Sequence, residues 1–262
     1  MSDSILVIPG SGPVTPVDRG LLHGEGVFET LHLRPSGPWL LDEHLDRLER
    51  SAALLEIPLP PRSDLAELAF QGARAWPGDE GALRLIVTAG PPPVVYATVG
   101  PIPGSVLRER REGIRLITAD RGIQTPPPWS LVTAKSLSYA ENLAAKRWAI
   151  RQGADDLLWL TPDGHALEAP TANLVWLTGT TLCTVPPDGI LAGTTAAYLL
   201  EHAADLGLTA DIRKITATDL PAADGIWLAS SLRGLAEVHT LDGTKRAASE
   251  WTPRLLALLG FS

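Results

Sequence analysis

Residues 167–174 read LEAPTANL and place one carboxylate, Glu168, at the end of an apolar strand. The dipeptide Asp163-Gly164 just before them is a strong hairpin turn signal, and residues 174–178 read as a further strand. A carboxylate in such a place needs a partner. A protonated pyridine ring would serve, because the pair would keep the ring an electron sink. The alternative is a lone glutamate on an edge strand.

Lysine is scarce in this chain, so a mechanism that needs an amine has few candidates. The four lysines are Lys135, Lys146, Lys214 and Lys245. Lys135 lies in residues 132–139 (VTAKSLSY), after a proline-rich loop and before a predicted helix. Burial among small and apolar neighbours would make its amine a nucleophile for a carbonyl cofactor. A surface lysine at a helix start is the alternative, and Lys146 is predicted to be solvated.

Two further segments have the chemistry to hold a phosphate. Residues 189–195 (GILAGTT) lead into a helix whose free amides and two hydroxyls, Thr194 and Thr195, suit a bound phosphate. Thr194 as a plain helix cap is the alternative. Arg47 falls between apolar positions of an earlier helix, and an inward arginine usually finds a carboxylate or phosphate. A pair with Glu43 in the same helix is the alternative there.

The first hundred residues are typical of an α+β unit. Apolar runs and alternation predict strands, and apolar residues at helical spacing predict helices. The predicted strands are residues 5–8, 27–33, 82–88 and 94–99, and the predicted helices are residues 40–55 and 63–76. Asp42 and Ser63 are the predicted caps of these helices.

A composition break rich in proline and glycine, followed by a charged run, predicts an interdomain linker over residues 101–112. We therefore predict a small domain over residues 1–100 and a larger one over residues 113–262. In the larger domain the predicted strands are residues 114–118, 156–160, 174–178 and 225–229, and the predicted helices are residues 140–152, 194–206 and 253–259.

Composition excludes several classes of function. The 262 residues are 45% apolar and 20% charged, which is a soluble globular profile, and the formal charge of −8 argues against a nucleic-acid partner. The apolar run 5–8 is far too short for a signal peptide or a membrane span, and the single Cys183 excludes an intrachain disulfide. The histidines lack paired metal spacing, and no dinucleotide, Walker or nucleophile-elbow motif is complete. A cytoplasmic enzyme without a metal is expected.

In order along the chain, these segments resemble the class IV aminotransferases, the fold-type IV enzymes that use pyridoxal 5'-phosphate (PLP). The resemblance covers nearly the whole chain. The matching segments are residues 18–30 (DRGLLHGEGVFET), 44–52 (HLDRLERSA), Lys135, 168–174 (EAPTANL), 190–195 (ILAGTT) and 229–232 (ASSL).

The resemblance implies an α+β two-domain fold, with a small N-terminal α/β sandwich and a larger C-terminal β-barrel-like domain with helices. It also implies that PLP is held by the cofactor-binding residues Arg47, Lys135, Glu168, Thr194, Thr195 and Ser231. Lys135 would hold the cofactor and act as the base, and Glu168 would keep the pyridine nitrogen charged. Members of the family are homodimers, so a homodimer is expected.

The reaction is indicated by fewer residues. Thr30 matches a threonine of the lyase members that is thought to assist proton transfer, and residues 135–139 (KSLSY) resemble the lyases more closely than the branched-chain enzymes. Arg84 matches a basic position that can meet a substrate carboxylate, and Leu232 lies in the segment that touches it in relatives. His32 is also assigned to the substrate site, at a position that is often basic in relatives. We predict a lyase that converts 4-amino-4-deoxychorismate to 4-aminobenzoate and pyruvate, a step that supplies a folate precursor. An aminotransferase for D-amino or branched-chain substrates is the alternative, and a non-catalytic PLP-binding protein is the third.

Overall fold

The computed structural model describes residues 5–90, 92–122 and 125–261. The chain folds into two compact units. The first unit runs to Pro103 and also includes Ala134–Tyr139, and the second consists of Gly104–Thr133 and the residues from Ala140 onward.

The described residues of the first unit form one antiparallel sheet in the order β1-β5-β4-β2-β3. Its strands are β1 (Leu6–Pro9), β2 (Gly26–Arg34), β3 (Gly37–Pro38), β4 (Gly81–Thr88) and β5 (Val94–Gly100). Alternation along β2 sends Val27, Leu31 and Leu33 to the buried face, as the sequence pattern predicts.

The helices of the first unit are α1 (Arg19–His23), α2 (Leu41–Leu54) and α3 (Arg62–Ala75). Helices α2 and α3 pack on one face of the sheet. The side chains of Leu45 and Leu48 from α2 and of Leu65 from α3 share a core with Leu31 and Leu83 of the sheet. Burial of these apolar side chains, at about 25 cal/mol per Å², is the main term that holds the layers together.

Both predicted helix caps are wrong. Helix α2 begins after Leu40, which has a left-handed φ of 54° and no capping side chain, and Asp42 lies in the first turn. Its carboxylate there favours the positive end of the helix and pairs with Arg62. Ser63 is likewise inside α3, which follows Pro61, and its hydroxyl donates to Asp64.

The charged run predicted to be linker is a helix. Residues 104–112 form α4 (Gly104–Glu112) within the second unit, so only residues 101–103 remain between the last strand of the first unit and this helix. On this helix Glu109 is buried and pairs with Lys146 and Arg233, which lie far along the sequence. A second departure concerns residues 134–139, which pack in the first unit although sequence order placed them in the larger domain.

In the second unit, the part that the structure describes forms a nine-stranded sheet in the order β11-β10-β9-β12-β13-β6-β7, with β14 on β13 and β8 on β9. Its strands are β6 (Ile114–Asp120), β7 (Asp156–Leu160), β8 (Glu168–Ala169), β9 (Ala172–Thr178), β10 (Thr181–Thr184), β11 (Thr209–Ile212), β12 (Gly225–Ser230), β13 (Gly234–Leu241) and β14 (Thr244–Lys245). The predicted turn at Asp163-Gly164 is confirmed, with Gly164 at a φ of 82° between the bridged residues Leu160 and Ala166.

Helices of the second unit are α4, α5 (Ala140–Arg151), α6 (Thr194–Glu201) and α7 (Trp251–Leu258). The helix predicted over residues 194–206 is shorter and ends at Glu201. A separate 3₁₀ turn, Ala203–Leu206, follows it and is ended by Gly207, which has a φ of 75°. The core is apolar, with Trp176, Leu158 and Leu228 fully buried. The chain therefore has the predicted α+β two-domain fold.

Candidate active site

Lys135 is anchored by its own backbone to strand β2 in the first unit. The amide of Phe28 donates to the carbonyl oxygen of Lys135 at 3.0 Å, and the amide of Leu137 donates to Gly26 at 2.8 Å. The amide of Lys135 donates to the hydroxyl of Ser51 in α2 at 3.0 Å. Both backbone polar groups of Lys135 are therefore fixed, and its side chain starts from a rigid point.

Two glycines, Gly24 just before β2 and Gly26 at its start, let the lysine segment approach this closely. A Cβ at Gly26 would lie 2.4 Å from a methyl of Leu137 and 2.8 Å from the carbonyl oxygen of Val87. Gly24 has a φ of 70°, and a Cβ there would lie 2.5 Å from the hydroxyl of Ser138. Because only glycine fits both positions, the HGEG part of the motif serves to seat residues 134–139.

The amine of Lys135 lies beside two aromatic rings. Its nitrogen is 4.6 Å from the ring centroid of Phe28 and 5.6 Å from that of Tyr139. The two rings meet edge to face, with centroids 5.3 Å apart. Such walls limit the access of water to the amine, which is the setting expected for a lysine that reacts with a carbonyl group.

Arg47 points inward, but its partner is not Glu43. Its Nε and Nη2 atoms donate to the two carboxylate oxygens of Glu29 on β2, each at 2.7 Å. The Nδ1 atom of His44 lies 2.6 Å from the same carboxylate. Glu29 and His44 are fully buried and Arg47 is 6% exposed, so this is a buried ion cluster between sheet and helix.

The pKa values of this cluster follow from burial and charge. Burial alone would raise the pKa of the Glu29 carboxyl, but the charge and hydrogen bonds of Arg47, together with His44, outweigh it and hold that pKa far below its ordinary value. Burial lowers the pKa of His44, although Glu29 partly opposes this. The native cluster therefore contains a charged Glu29–Arg47 pair beside a neutral His44.

Thr30 and Arg84 lie directly opposite each other on neighbouring strands. Since alternate side chains share a face, Phe28 lies on the same face as Thr30, opposite the face that carries Glu29. This face carries a hydroxyl and the exposed guanidinium of Arg84 next to the ring that contacts the Lys135 amine. The Thr30 hydroxyl and the Arg84 guanidinium therefore belong to the same strand pair and face as Phe28.

His32 continues the Thr30 face, but its ring is already engaged. Its Nε2 atom lies 3.0 Å from Glu80, and its Nδ1 atom accepts from the Nε of Arg34 at 3.0 Å. His32 is 4% exposed. The ring of His32 is therefore held between Glu80 and Arg34.

In the second unit, Glu168 is fixed at the start of a hairpin. It pairs with Asn173 across the turn formed by residues 170–171. One carboxylate oxygen accepts from the amide of Leu191 at 3.1 Å, and the other accepts from the Asn173 side chain at 3.4 Å. Asn173 also donates to the carbonyl oxygen of Leu191 at 2.8 Å. The carboxylate is buried and oriented by the first two contacts, and the third fixes the Asn173 amide.

The start of α6 packs tightly against this hairpin. A Cβ at Gly193 would lie 1.9 Å from the Asn173 side-chain oxygen, so glycine is required there. Thr194 and Thr195 begin the helix and are buried. The Thr195 hydroxyl is buried without a hydrogen-bond partner among the described residues, which is a costly state for a polar group. Such a hydroxyl at the positive end of a helix is suited to an anion.

The sequence-predicted site residues fall into two groups. The first unit holds Lys135, Arg47, Thr30, Arg84 and His32, and the second unit holds Glu168, Thr194, Thr195, Ser231 and Leu232. Ser231 and Leu232 lie in the buried turn between β12 and β13.

Sequence reasoning gave no role to Glu29, His44 or Asn173. A glutamate among the apolar positions of β2 was the available signal, because a buried carboxylate requires a partner. The prediction for Lys146 is wrong: its side chain is only 24% exposed, and its amine lies 3.3 Å from Glu109 and 3.5 Å from Asp156.

Comparison with known proteins assigns the family. The sequence model described as amino-transferase class IV matches residues 26–241. This chain is a class IV aminotransferase. The bifunctional aminodeoxychorismate lyase / D-amino acid transaminase of Mycobacterium tuberculosis is 40% identical over 262 residues, which cover 93% of this chain and 91% of the relative. An aminodeoxychorismate lyase of Bacillus subtilis is 30% identical over 234 residues, covering 84% and 78%.

Solved structures agree with this assignment. A hypothetical aminotransferase from Mycobacterium tuberculosis in its PLP-bound form has a TM-score of 0.93 at 36% identity, covering 98% of both chains. This class IV aminotransferase is therefore a PLP-dependent enzyme, acting on small amino substrates. Among the described residues, no helix is long and apolar enough to cross a membrane.

The residues present fit PLP on structural grounds. The unpartnered Thr195 hydroxyl and the tightly packed Gly193 at a helix start suit the phosphate. Lys135 supplies an amine beside aromatic walls, which suits the aldehyde carbon. Glu168 supplies an oriented buried carboxylate, which suits the ring nitrogen.

Proposed function

We propose that this enzyme is a lyase that converts 4-amino-4-deoxychorismate to 4-aminobenzoate and pyruvate. The observation that carries the proposal is the face shared by Phe28, Thr30 and Arg84, next to the Lys135 amine. A lyase needs a proton for the departing enolpyruvyl group, and Thr30 offers a hydroxyl on that face. Relatives named aminodeoxychorismate lyase, at 40% and 30% identity, support it.

Each group in the proposal has a defined task. Bound PLP withdraws electrons from the substrate carbon that carries nitrogen. Lys135 holds the cofactor in the resting enzyme and afterwards moves the proton at that carbon, a contribution of about 10²–10⁴-fold. Glu168 keeps the ring nitrogen protonated.

Binding contacts complete the assignment. Arg47, Thr194, Thr195 and Ser231 are the proposed phosphate ligands. Arg84 binds a substrate carboxylate, and Leu232 and His32 shape the rest of the substrate site. Thr30 gives its proton to the departing three-carbon unit and is reprotonated from solvent.

A D-amino acid transaminase activity is the second candidate. It is favoured by the relative that is 40% identical, because that single protein is named for both reactions. Lys135 then returns the proton to the cofactor carbon instead of supporting loss of the enolpyruvyl group. The same binding residues serve both reactions, so the two activities are compatible in one chain.

One substitution separates the two activities. Thr30→Val keeps the shape of the side chain and removes its hydroxyl. We expect 4-aminobenzoate formation, followed by fluorescence, to fall about 10²-fold or more, while stoichiometric amination of the cofactor by D-alanine continues. The wild-type protein is the control. Absence of 4-aminobenzoate with wild-type enzyme would refute the lyase, and absence of both reactions would leave a PLP-binding protein without turnover.

The proposal includes a cytoplasmic homodimer that serves folate precursor synthesis. Its support is the family resemblance. Light scattering after size-exclusion chromatography should give twice the mass of 27.9 kDa. A monomer at micromolar concentration would remove the dimer from the proposal.

A further inference from the structure

The connection between β12 and β13 is held by helix α4. Ser230 pairs with Gly234, so residues 231–233 form a three-residue turn. Gly234 has a φ of 63°, and a Cβ there would lie 2.6 Å from the ring of Phe261. This turn carries Ser231 and Leu232, the proposed cofactor and substrate contacts.

Arg110 of α4 reaches the turn from outside. Its Nη2 atom donates to the carbonyl oxygen of Leu232, and its Nε atom donates to that of Arg233 at 3.3 Å. Its guanidinium also lies over the ring of Phe261, 4.2 Å from the centroid. One planar group therefore fixes two consecutive carbonyls, which a lysine with a single compact ammonium cannot do in the same geometry.

Arg233 ties the turn to the same helix from the inside. Its Nη2 atom lies 2.6 Å from Glu109 and 3.1 Å from Asp156, and its side chain is 3% exposed. Lys146 contacts the same two carboxylates, so the cluster balances two positive against two negative charges. Apolar residues of similar volume commonly stabilise a core as well as such a cluster does. What distinguishes this cluster is that the turn and α4 are joined twice: Arg233 of the turn pairs with Glu109 of α4, and Arg110 of α4 donates to carbonyl oxygens of the turn.

We propose that Arg110 and Arg233 are positioning residues that hold the 231–233 turn in the shape that presents Ser231 to the cofactor phosphate. The proposal rests on the assignment of Ser231 in the proposed function. Two of the three carbonyls of the turn are fixed by Arg110, so the backbone that carries Ser231 has little freedom. A displacement of about 1 Å at such a contact costs roughly 10²-fold in efficiency.

The test measures PLP affinity, which is independent of the reaction catalysed. Arg110→Lys keeps the positive charge but removes the planar guanidinium that donates to two carbonyls. Arg108→Lys is the matched control, because Arg108 is exposed on the same helix. We expect Arg110→Lys to raise the PLP dissociation constant about tenfold or more, with the lysine-linked absorbance still formed at saturating PLP. Arg108→Lys should leave the constant unchanged. An unchanged constant in Arg110→Lys would overturn the proposal.

A double-mutant cycle shows whether Arg110 acts through Ser231. We expect Ser231→Ala to weaken PLP binding, and we expect Arg110→Lys to add little to it in the double variant. Additive losses, or no effect of Ser231→Ala, would overturn the proposal. If Arg110→Lys does not fold, Glu109→Gln replaces it. This substitution weakens the contact between Arg233 and α4 and should also raise the PLP dissociation constant. Failure of the lyase reaction in wild-type enzyme would refute the proposed function alone, because PLP binding is read without substrate.

Discussion

Replacement of Glu29 by glutamine tests the buried cluster that links β2 to α2. The change keeps the size of the side chain and removes the charge that faces Arg47, whose Nε and Nη2 atoms both lie 2.7 Å from the carboxylate oxygens. Arg47 is only 6% exposed, so its charge cannot turn to water. Removal of one partner from a buried ion pair costs about 3–5 kcal/mol, because the remaining charge stays buried and uncompensated.

The expected loss is measurable in two ways. Urea denaturation of the apo-protein should show a free energy of unfolding lower by about 3–5 kcal/mol. At roughly 2–4 °C per kcal/mol, Tm should fall by about 6–20 °C. Glu25→Gln is the matched control, since Glu25 forms an exposed pair with Arg19 in the same segment. That variant should unfold at nearly the wild-type urea concentration.

The same variant also tests the place of Arg47 in cofactor binding. Without Glu29, the guanidinium loses its fixed orientation, so we expect weaker PLP binding in Glu29→Gln even at temperatures where the protein is folded. An unchanged free energy of unfolding would refute the argument that this charge is buried and paired. Equal losses in Glu29→Gln and Glu25→Gln would refute it as well.

Three further outcomes follow from the structure. Acidification should destabilise the protein, first below about pH 6.5 and again below about pH 4.5. The reason is that unfolding returns the lowered pKa values of His44 and Glu29 to their ordinary values, so the unfolded chain binds more protons. In urea denaturation measured across pH, the Glu29→Gln variant should lose the lower of the two steps. Gly26→Ala should push the lysine segment away and raise the PLP dissociation constant about tenfold or more. Gly12→Ala is the control and should leave the constant unchanged, because no atom lies within 4 Å of a Cβ at that position. Equal effects of the two substitutions would contradict this. Thr195→Val should leave the apo-protein at least as stable as wild type and weaken PLP binding roughly 10–100-fold. A less stable apo-protein that binds PLP normally would contradict the assignment of Thr195 to the phosphate.

Local patterns were sufficient to predict most of the elements. Alternation predicts β2 within one residue at each end, and helical spacing predicts α2 and α5 nearly as well. Cap residues were wrong because Asp42 and Ser63 have other uses inside the first turn. A cap depends on backbone geometry that a residue type does not fix by itself.

Long-range pairing was beyond the reach of the sequence. Residues 134–139 join the first unit because they bond to β2, more than 100 positions earlier in the chain. Residues 104–112 form a helix of the second unit, where Glu109 pairs with Lys146 and Arg233. These contacts depend on how distant elements pack, so neither composition nor periodicity reports them.

We propose that the amine of Lys135 holds the cofactor. Reduction of the PLP-loaded enzyme with borohydride, followed by peptide mass mapping, locates the bound group among the four lysines. We predict a single modification, on the peptide that contains Lys135, and none in Lys135→Ala. Modification at Lys146, Lys214 or Lys245, or a Lys135→Ala enzyme that still links PLP covalently, would contradict the account.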